Sequence, residues 1–529
     1  MKKILNSVFI GCTALLVAFG VQSCKDDELG GKPYADGEAP LGIKFEYLNR
    51  KLDLVRPGEV FQVTIRGLKT QTGSIKAFIN EEEAEVVSFT DSTLDVRVPQ
   101  LVSSGGLKVT VGNQVFFGPR VPIEGRVKVD TDIQIAQGFN STVSQIYPNG
   151  VNFWTLGYFT NFNDESNGKT IFRNNIHIIN SLGKSVDGQF KKGALGGINH
   201  IAKLPDGKFI VSGSLYSYND HSVNNITRIL SSGALDTMVV DVINPDKDTK
   251  PLNSLDTVAA FNAQLVGGTV IGVYPTTDNK MIAIGNFTNH LRIDYEYSSR
   301  DQRSAFNTKV RNITRLKYDG GIDSSFMYNN TGANGTISGA VQLSNKKIIA
   351  IGSFTTFNNE SANRIVVFNE DGTLDKSFAG SGANDMIFSI TYNSVSKKIA
   401  LAGRFTSFNG VATNGVVLLN EDGTIDSKFK LKDTDGRIPT YAYVMNNGKV
   451  LVTGGFIKYE GINRSNLLIL ESDGSAKQEY NNISGFIGSI RTIVETTSSE
   501  GYPALLIGGS IMAIDGVDVG SIFRLEIRN

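Results

Sequence analysis

A long phrase recurs down the C-terminal three-quarters of this chain. A lysine-led apolar strand ends in Gly; an aromatic, an Asn, a second strand and an Asp-Gly turn follow. One copy runs Lys347-Ile348-Ile349-Ala350-Ile351-Gly352-Ser353-Phe354-Thr355-Thr356-Phe357-Asn358, then Arg364-Ile365-Val366-Val367-Phe368, then Asp371-Gly372-Thr373-Leu374-Asp375-Lys376-Ser377-Phe378. The next begins at Lys398 and closes on Asp422-Gly423-Thr424-Ile425-Asp426-Ser427-Lys428-Phe429. A repeat of this length constrains the fold more than any other feature, because one unit cannot bury its apolar face alone.

Aligning on the strand-ending glycine gives Gly157, Gly213, Gly285, Gly352, Gly403, Gly454 and Gly508, spaced 51 to 72 residues apart. Ile226-Thr227-Arg228-Ile229, Ile313-Thr314-Arg315-Leu316 and Ile522-Phe523-Arg524-Leu525 keep step with Arg364 to Val367. The units are rich in β-branched residues and punctuated by Asp-Gly or Asn-Gly hairpin signals, with no sustained helical period. Three to four short strands per unit is the content of a β-propeller blade. The chain is therefore expected to be all-β, with seven blades, or six or eight if a divergent unit is miscounted. The last unit ends on Ser521 to Leu525 without an outer strand, and Thr131 to Phe139 is expected to supply it, removing two sheet edges that would otherwise invite association.

The N-terminus carries a different message. Met1-Lys2-Lys3 is basic, Val8 to Gly20 is apolar but too short to span a bilayer, and Val21-Gln22-Ser23-Cys24 follows. This reads as a lipoprotein signal over residues 1–23 with lipidation at Cys24. Cleavage there leaves one cysteine in the mature chain, which makes no intramolecular disulfide. Lys25-Asp26-Asp27-Glu28 resembles the export signal that sends Bacteroidota-type lipoproteins to the outer face of the outer membrane. A merely solvated tether is the plainer reading of the same run. Residues 24–40 read as a flexible stalk.

Between stalk and propeller, Val55 to Gly67 reads as a turn then an alternating strand, and Ile75 to Asn80, Leu94 to Pro99 and Gly106 to Asn113 continue the strand series, the pattern of a small β-sandwich. The phrases Pro57-Gly58-Glu59, Val98-Pro99 and Gly106-Leu107-Lys108-Val109-Thr110-Val111-Gly112 resemble the IPT/TIG immunoglobulin-like family over residues 41–127. Such domains usually act as spacers.

Residues 128–529 resemble the delta-60 repeat propellers, which share the phrases at Gly403 to Gly410 and Asp371 to Phe378. The first, second and last units depart from that pattern. Lipid anchor, IPT/TIG-like domain and propeller together resemble surface lipoproteins of polysaccharide utilisation systems. The resemblance implies capture of an oligo- or polysaccharide for a TonB-dependent transporter and its companion lipoprotein, without cleavage. The fold alone would not imply it. A bracing or docking subunit of the transporter complex is the alternative reading, and a propeller glycosidase a further one.

Composition bears on the rivals. Lys plus Arg equals Asp plus Glu at 52 each, so no net field steers nucleic acid. The histidines, His177, His200, His221 and His290, have no zinc-ligand spacing. Asn369-x-Asp371-Gly372-x-x-Asp375 echoes part of a calcium loop, but Val367 stands where another oxygen ligand is needed, and turn chemistry accounts for the pair. No metal or other cofactor is expected. Propeller glycosidases bring carboxylates together at one mouth. Asp294 and Glu296 sit in a repeat-breaking segment, yet two acids in a loop are usually just solvated, and no Gly-x-Ser-x-Gly elbow is present. The expectation is a protein that is not an enzyme.

Sugar faces stack on aromatic rings while their hydroxyls meet Asn, Asp and Arg. Trp154 aligns with Ile349, and Phe159, Phe287, Phe354, Phe405 and Phe456 share one repeat position, so all six are expected in the core. Ligand contacts are expected where the repeat is broken. The largest break runs from Asn289 to Asn307 and offers His290, Arg292, Tyr295, Tyr297 and Arg300; a second lies from Asn244 to Phe261. Tyr295 and Tyr297 would face the same way on an extended segment, as would Tyr216 and Tyr218 in the second unit. Covering a blade edge is the competing role for these aromatics.

Overall fold

In a computed structural model the described residues are 40–46, 52–71, 73–163, 174–190, 192–244, 252–327, 329–464 and 466–528. The lipidation and export signals therefore lie outside them. Two β units follow one another, an N-terminal sandwich and a seven-bladed propeller.

The sandwich is built on strands from Lys44–Phe45 to Gln114–Val121. Its hydrogen-bonded ladder is continuous because one strand, Glu82–Phe89, serves both layers: its start pairs Ile75–Ile79 and its end pairs Thr93–Arg97. A bulge between Val86 and Ser88 lets it turn between them. Alternation places Val63, Ile65, Ala77, Ile79, Leu94, Val96, Leu107 and Val109 in a single core.

Each blade is an antiparallel sheet whose inner strand belongs to the ring's central channel. The inner strands are Val143–Asn149, Ala194–Lys203, Val270–Pro275, Ile337–Gln342, Ile387–Asn393, Pro439–Val444 and Ile487–Thr497. Buried apolar residues face the neighbouring blades; Ile284, Ile348 and Ala350, for example, share one cluster between the third and fourth. Trp154 and the five repeat phenylalanines are buried, Trp154 tilted on Phe209 at 4.8 Å between centroids.

The repeat glycine has a specific cause. An added Cβ on Gly157, Gly213, Gly285, Gly352, Gly403, Gly454 or Gly509 would collide with the backbone carbonyl of the residue just before the buried start of the inner strand. That crowding comes from a bulge present in every blade. In the seventh blade the equivalent residue is Gly509, not the adjacent Gly508 that the sequence alignment selects: Gly509 pairs Ile490, as Gly352 pairs Ile337.

Repeated polar residues hold the blade's outer half. Asp371 and Asp422 accept from the backbone N–H and hydroxyl of Thr373 and Thr424, closing Asx turns. The strand-leading lysines Lys208, Lys280, Lys347 and Lys398 pair with Asp236, Asp323, Asp375 and Asp426. Asn358 Oδ1 accepts the N–H groups of Thr331 and Gly332, and Asn409 repeats this on Gly382, tying each hairpin to the chain before it.

The ring closes as a composite seventh blade, but through a different segment than expected. Val127–Val129 pairs the last strand, with Val129 opposite Leu525 and Val127 opposite Ile527. Thr131 to Phe139 instead crosses to the first blade, where Gln134 N–H donates to the Leu182 carbonyl and Phe139 bridges Phe162. Asp130 explains the choice. Immediately after the closing strand, it accepts from Arg524 as Asp236 and Asp323 accept from Arg228 and Arg315 in their blades.

The sandwich is fixed to the sixth and seventh blades through a buried polar seam. Ser103 Oγ donates to the Asn481 carbonyl at 2.6 Å, Ser104 N–H to the Asn482 carbonyl at 2.7 Å, and Asn482 Nδ2 to the Ile123 and Val127 carbonyls. Arg464 donates to Ser103, Gln478 and Asn481, and desolvation pushes its guanidinium down to about 10. Nothing in this seam resembles a free spacer.

Candidate functional site

The third-blade break at Asn289 to Asn307 is an enlarged copy of a hairpin that other blades carry in miniature. Thr356–Phe357 pairs Glu360–Ser361 in the fourth blade; here Asn289–Asp294 pairs Ser304–Lys309 and also Gln264–Val266. Its residues do not converge. His290 is buried and its Nε2 lies 2.9 Å from the Gly320 carbonyl, an interior contact that withdraws it from any ligand. Arg292 pairs with Asp319, and Arg300 donates to the Leu255 carbonyl. Tyr295 and Tyr297 lie on a 3-10 turn rather than an extended segment, so they do not share a direction. Tyr295 is half-buried beside Arg303, whereas Tyr297 is 68% exposed.

Tyr218 is also inside the packing. Its hydroxyl donates to the Gly233 carbonyl at 2.7 Å, the bond that Tyr459 makes to Gly474. It is a variant of the position held by Phe357 and Phe408. Tyr216 remains exposed on its strand.

The structure draws attention elsewhere, to the central channel, a cavity of about 1350 Å³ lined by all seven inner strands. Just before its bulge each inner strand carries a buried residue: Val143, Ile198, Val270, Ile337, Ile387, Pro439 or Ile490. The bulge then inserts one extra residue before pairing resumes. These residues are Ser144, Asn199, Ile271, Ser338, Phe388, Thr440 and Arg491, and all seven line the channel. A bulge re-aims a side chain without disturbing the ladder on either side. The buried position before it is uniformly apolar; the inserted one ranges over hydroxyl, amide, aromatic, aliphatic and cationic groups.

The two ends of the channel differ chemically. Four to five residues further along the inner strands, about 15 Å at ~3.3 Å per residue, polar groups satisfy one another. Tyr392 donates to Glu421 at 2.5 Å, and Glu495 accepts from Asn446 N–H, Tyr443 and Asn393. Burial pushes the Glu495 carboxyl up against those hydrogen bonds. At the bulge end, Tyr158 donates to Asn199 at 3.0 Å and lies 3.0 Å from Ser214 Oγ. Next to Asn199 in sequence, His200 packs edge-on against Tyr274, and desolvation pulls it down to about 4, so it is neutral at physiological pH. Arg491 is exposed and makes no hydrogen bond or ion pair with the described residues.

Sequence reasoning missed this ring because it sought long insertions, and each bulge adds one residue of no fixed type. The available signal was the chemical variety at one repeat position beside a uniformly apolar one.

Comparison with known proteins agrees with the architecture. A family described as "Domain of unknown function (DUF5122) beta-propeller" matches residues 204–237, 343–378, 396–429 and 446–476, in the second, fourth, fifth and sixth blades. "Domain of unknown function (DUF5008)" matches residues 20–119, the region where the sequence resembles IPT/TIG domains. No curated protein sequence matches. Among solved structures, the WD40 propeller domain of Doa1 is 12% identical with a TM-score of 0.39, over 77% of this chain and 98% of that one. An auxiliary nutrient binding protein from Bacteroides ovatus is 12% identical with a TM-score of 0.20, over 66% of this chain and 92% of that one. A gluconolactonase from Xanthomonas campestris is 11% identical with a TM-score of 0.26, over 62% and 91%. The chain is an all-β protein whose propeller follows an N-terminal β domain.

Proposed function

We propose that this protein captures an oligosaccharide at the bulge end of its propeller channel and does not cleave it. The ring of seven inserted side chains, of six residue types, carries the reading. Packing explains the uniform residues beside them; of the inserted ones, Asn199 and Ser338 also donate to the Val270 and Ile387 carbonyls of the next blade, and all seven line the channel where a ligand would lie. Phe388 supplies an apolar face for a sugar ring, and Ser144, Ser338, Thr440 and Asn199 supply groups for its hydroxyls. Glu495 is the one carboxylate among the described lining residues, whereas glycoside hydrolysis generally uses two. In this reading lipid on Cys24 holds the protein outside the outer membrane, next to a TonB-dependent transporter and its companion lipoprotein.

Glycan-array screening followed by calorimetry on the full chain tests it. Loss of one stacking ring should remove about 1 kcal/mol, taking the ~0.5–1.5 kcal/mol of aromatic pairs as a guide. Phe388→Ala should therefore weaken binding several-fold, and Tyr297→Ala should not. Binding abolished by Tyr297→Ala and untouched by Phe388→Ala would return the site to the third-blade hairpin. Reducing ends released in proportion to protein would make it an enzyme.

A further inference from the structure

We infer that the captured glycan is acidic, carrying a carboxylate or sulfate that Arg491 binds at the channel mouth. This rests on the channel as the glycan site. Arg491 is the inserted residue of the seventh-blade bulge, so the backbone itself turns the guanidinium toward the channel. Around the ring it stands between Thr440 of the sixth blade and Ser144 of the first, with Ser489 and Thr142 also lining that wall. Hydroxyl donors beside a guanidinium suit the oxygens of a carboxylate or sulfate, which accept several bonds at once.

The electrostatics favour the same class. Arg491 and Glu495 are the charged groups among the described lining residues, since His200 is neutral. Glu495 lies four residues along the strand, roughly 13 Å at ~3.3 Å per residue, and already accepts three hydrogen bonds. Some propeller arginines are neutralised, Arg228, Arg315 and Arg524 each by an aspartate in the blade and Arg404, near the bulge end, by Asp385, whereas Arg311, Arg364 and Arg437 form no ion pair among the described residues; what sets Arg491 apart is that it lines the channel. Arg491 has no such partner. A cation at the mouth of a channel, with no counter-charge beside it among the described residues, draws anions towards that mouth.

The probes are uronate-containing oligosaccharides, their neutral methyl esters, and sulfated oligosaccharides, titrated into the full chain by calorimetry. At least one acidic class should bind tenfold or more tighter than its neutral counterpart, with affinity falling as salt rises. Arg491→Gln should remove that preference, Arg491→Lys should keep part of it, and Arg311→Gln, off the channel, should leave it intact. The uronate and sulfate arms identify which anion is bound. If esters and acids bind alike in a Phe388-dependent way, with no effect of Arg491→Gln, the acidic inference falls and glycan capture stands. If no saccharide of any class binds, both fall.

Discussion

Arg524 Nε donates to Asp130 Oδ2 at 2.8 Å across 394 positions of sequence, with both side chains almost wholly buried. The same guanidinium reaches the Ser181 carbonyl of the first blade and Ser499 Oγ of its own, so one side chain joins the closing strand, the last strand and the first blade. Removing one partner of a buried ion pair typically costs about 3–5 kcal/mol, because the other charge is left without compensation. Asp130→Asn should lower the melting temperature by several degrees and expose the closing strand to limited proteolysis. An unchanged melting temperature would show that the seventh blade closes without this pair.

Acid should weaken the same latch. Desolvation pushes the Asp130 carboxyl up, but hydrogen bonds from Ser499 N–H, Arg524 and Asp132 N–H outweigh it and hold the carboxyl below its ordinary range. Its stabilising contribution is present above the unfolded-state value and is lost as pH falls through the folded one. The stability gap between wild type and Asp130→Asn should therefore narrow in acid. Denaturant titrations at pH 7 and pH 3.5 measure it, and a constant gap would contradict this reading.

His200 makes a prediction of opposite chemistry. Its imidazole is pulled from about 6.5 down to about 4 by desolvation, so below pH 6.5 the unfolded chain binds a proton that the folded one refuses. Stability should fall as pH drops from about 6.5 towards about 4, and His200→Gln should flatten that part of the profile. Proton NMR should show the folded imidazole still neutral at pH 5.5.

The repeat glycine is tested by two alanines. Gly352→Ala places a Cβ against the Thr336 carbonyl, backbone that the bulge holds in place, and should destabilise by ~1–3 kcal/mol as overpacking does. Gly455→Ala is the control, since the nearest atom to its Cβ would be 4.0 Å away and its φ is not positive. Equal effects in chemical denaturation would reject the bulge as the reason for the repeat glycine.

The seam between sandwich and propeller predicts shared unfolding. Asn482→Ala removes bonds to the Ile123 and Val127 carbonyls, leaving buried acceptors unsatisfied at about 1–3 kcal/mol each. Wild type should melt in one calorimetric transition and the variant in two. Two transitions already present in wild type would mean that the units unfold independently.

Much of this architecture was legible because the repeat states its own constraints. Gly352 and Gly403 recur where backbone leaves no room for a side chain, Asp371 and Asp422 where Asx turns close, and Arg228, Arg315 and Arg524 where an outer aspartate is needed. That last pairing emerges only from the structure, and it is what places Asp130 after the closing strand; in the sequence the segment Thr131 to Phe139, with Ile133 and Ile135, is more strand-like than the three residues of Val127–Val129. The candidate site was harder to see. Tyr218 and His290 carry chemistry suited to a ligand, yet hydrogen bonds to the Gly233 and Gly320 carbonyls use them for packing, and contacts between segments 15 and 30 residues apart are not local signals. The residues at the channel mouth follow from a register shift, which leaves no fixed residue type behind.

Seven bulges also divide the labour of evolution within each blade. The residue before the insertion must remain apolar and the paired glycine must remain glycine, so any change at either endangers the fold. The inserted residue answers to neither demand. At Ser144, Phe388 and Arg491, whose side chains make no hydrogen bond to another blade among the described residues, a substitution alters what the channel mouth presents while the ring stays folded, and these positions can change one at a time. A scaffold of this kind can acquire a new ligand in small steps, each leaving a stable protein on which selection can act.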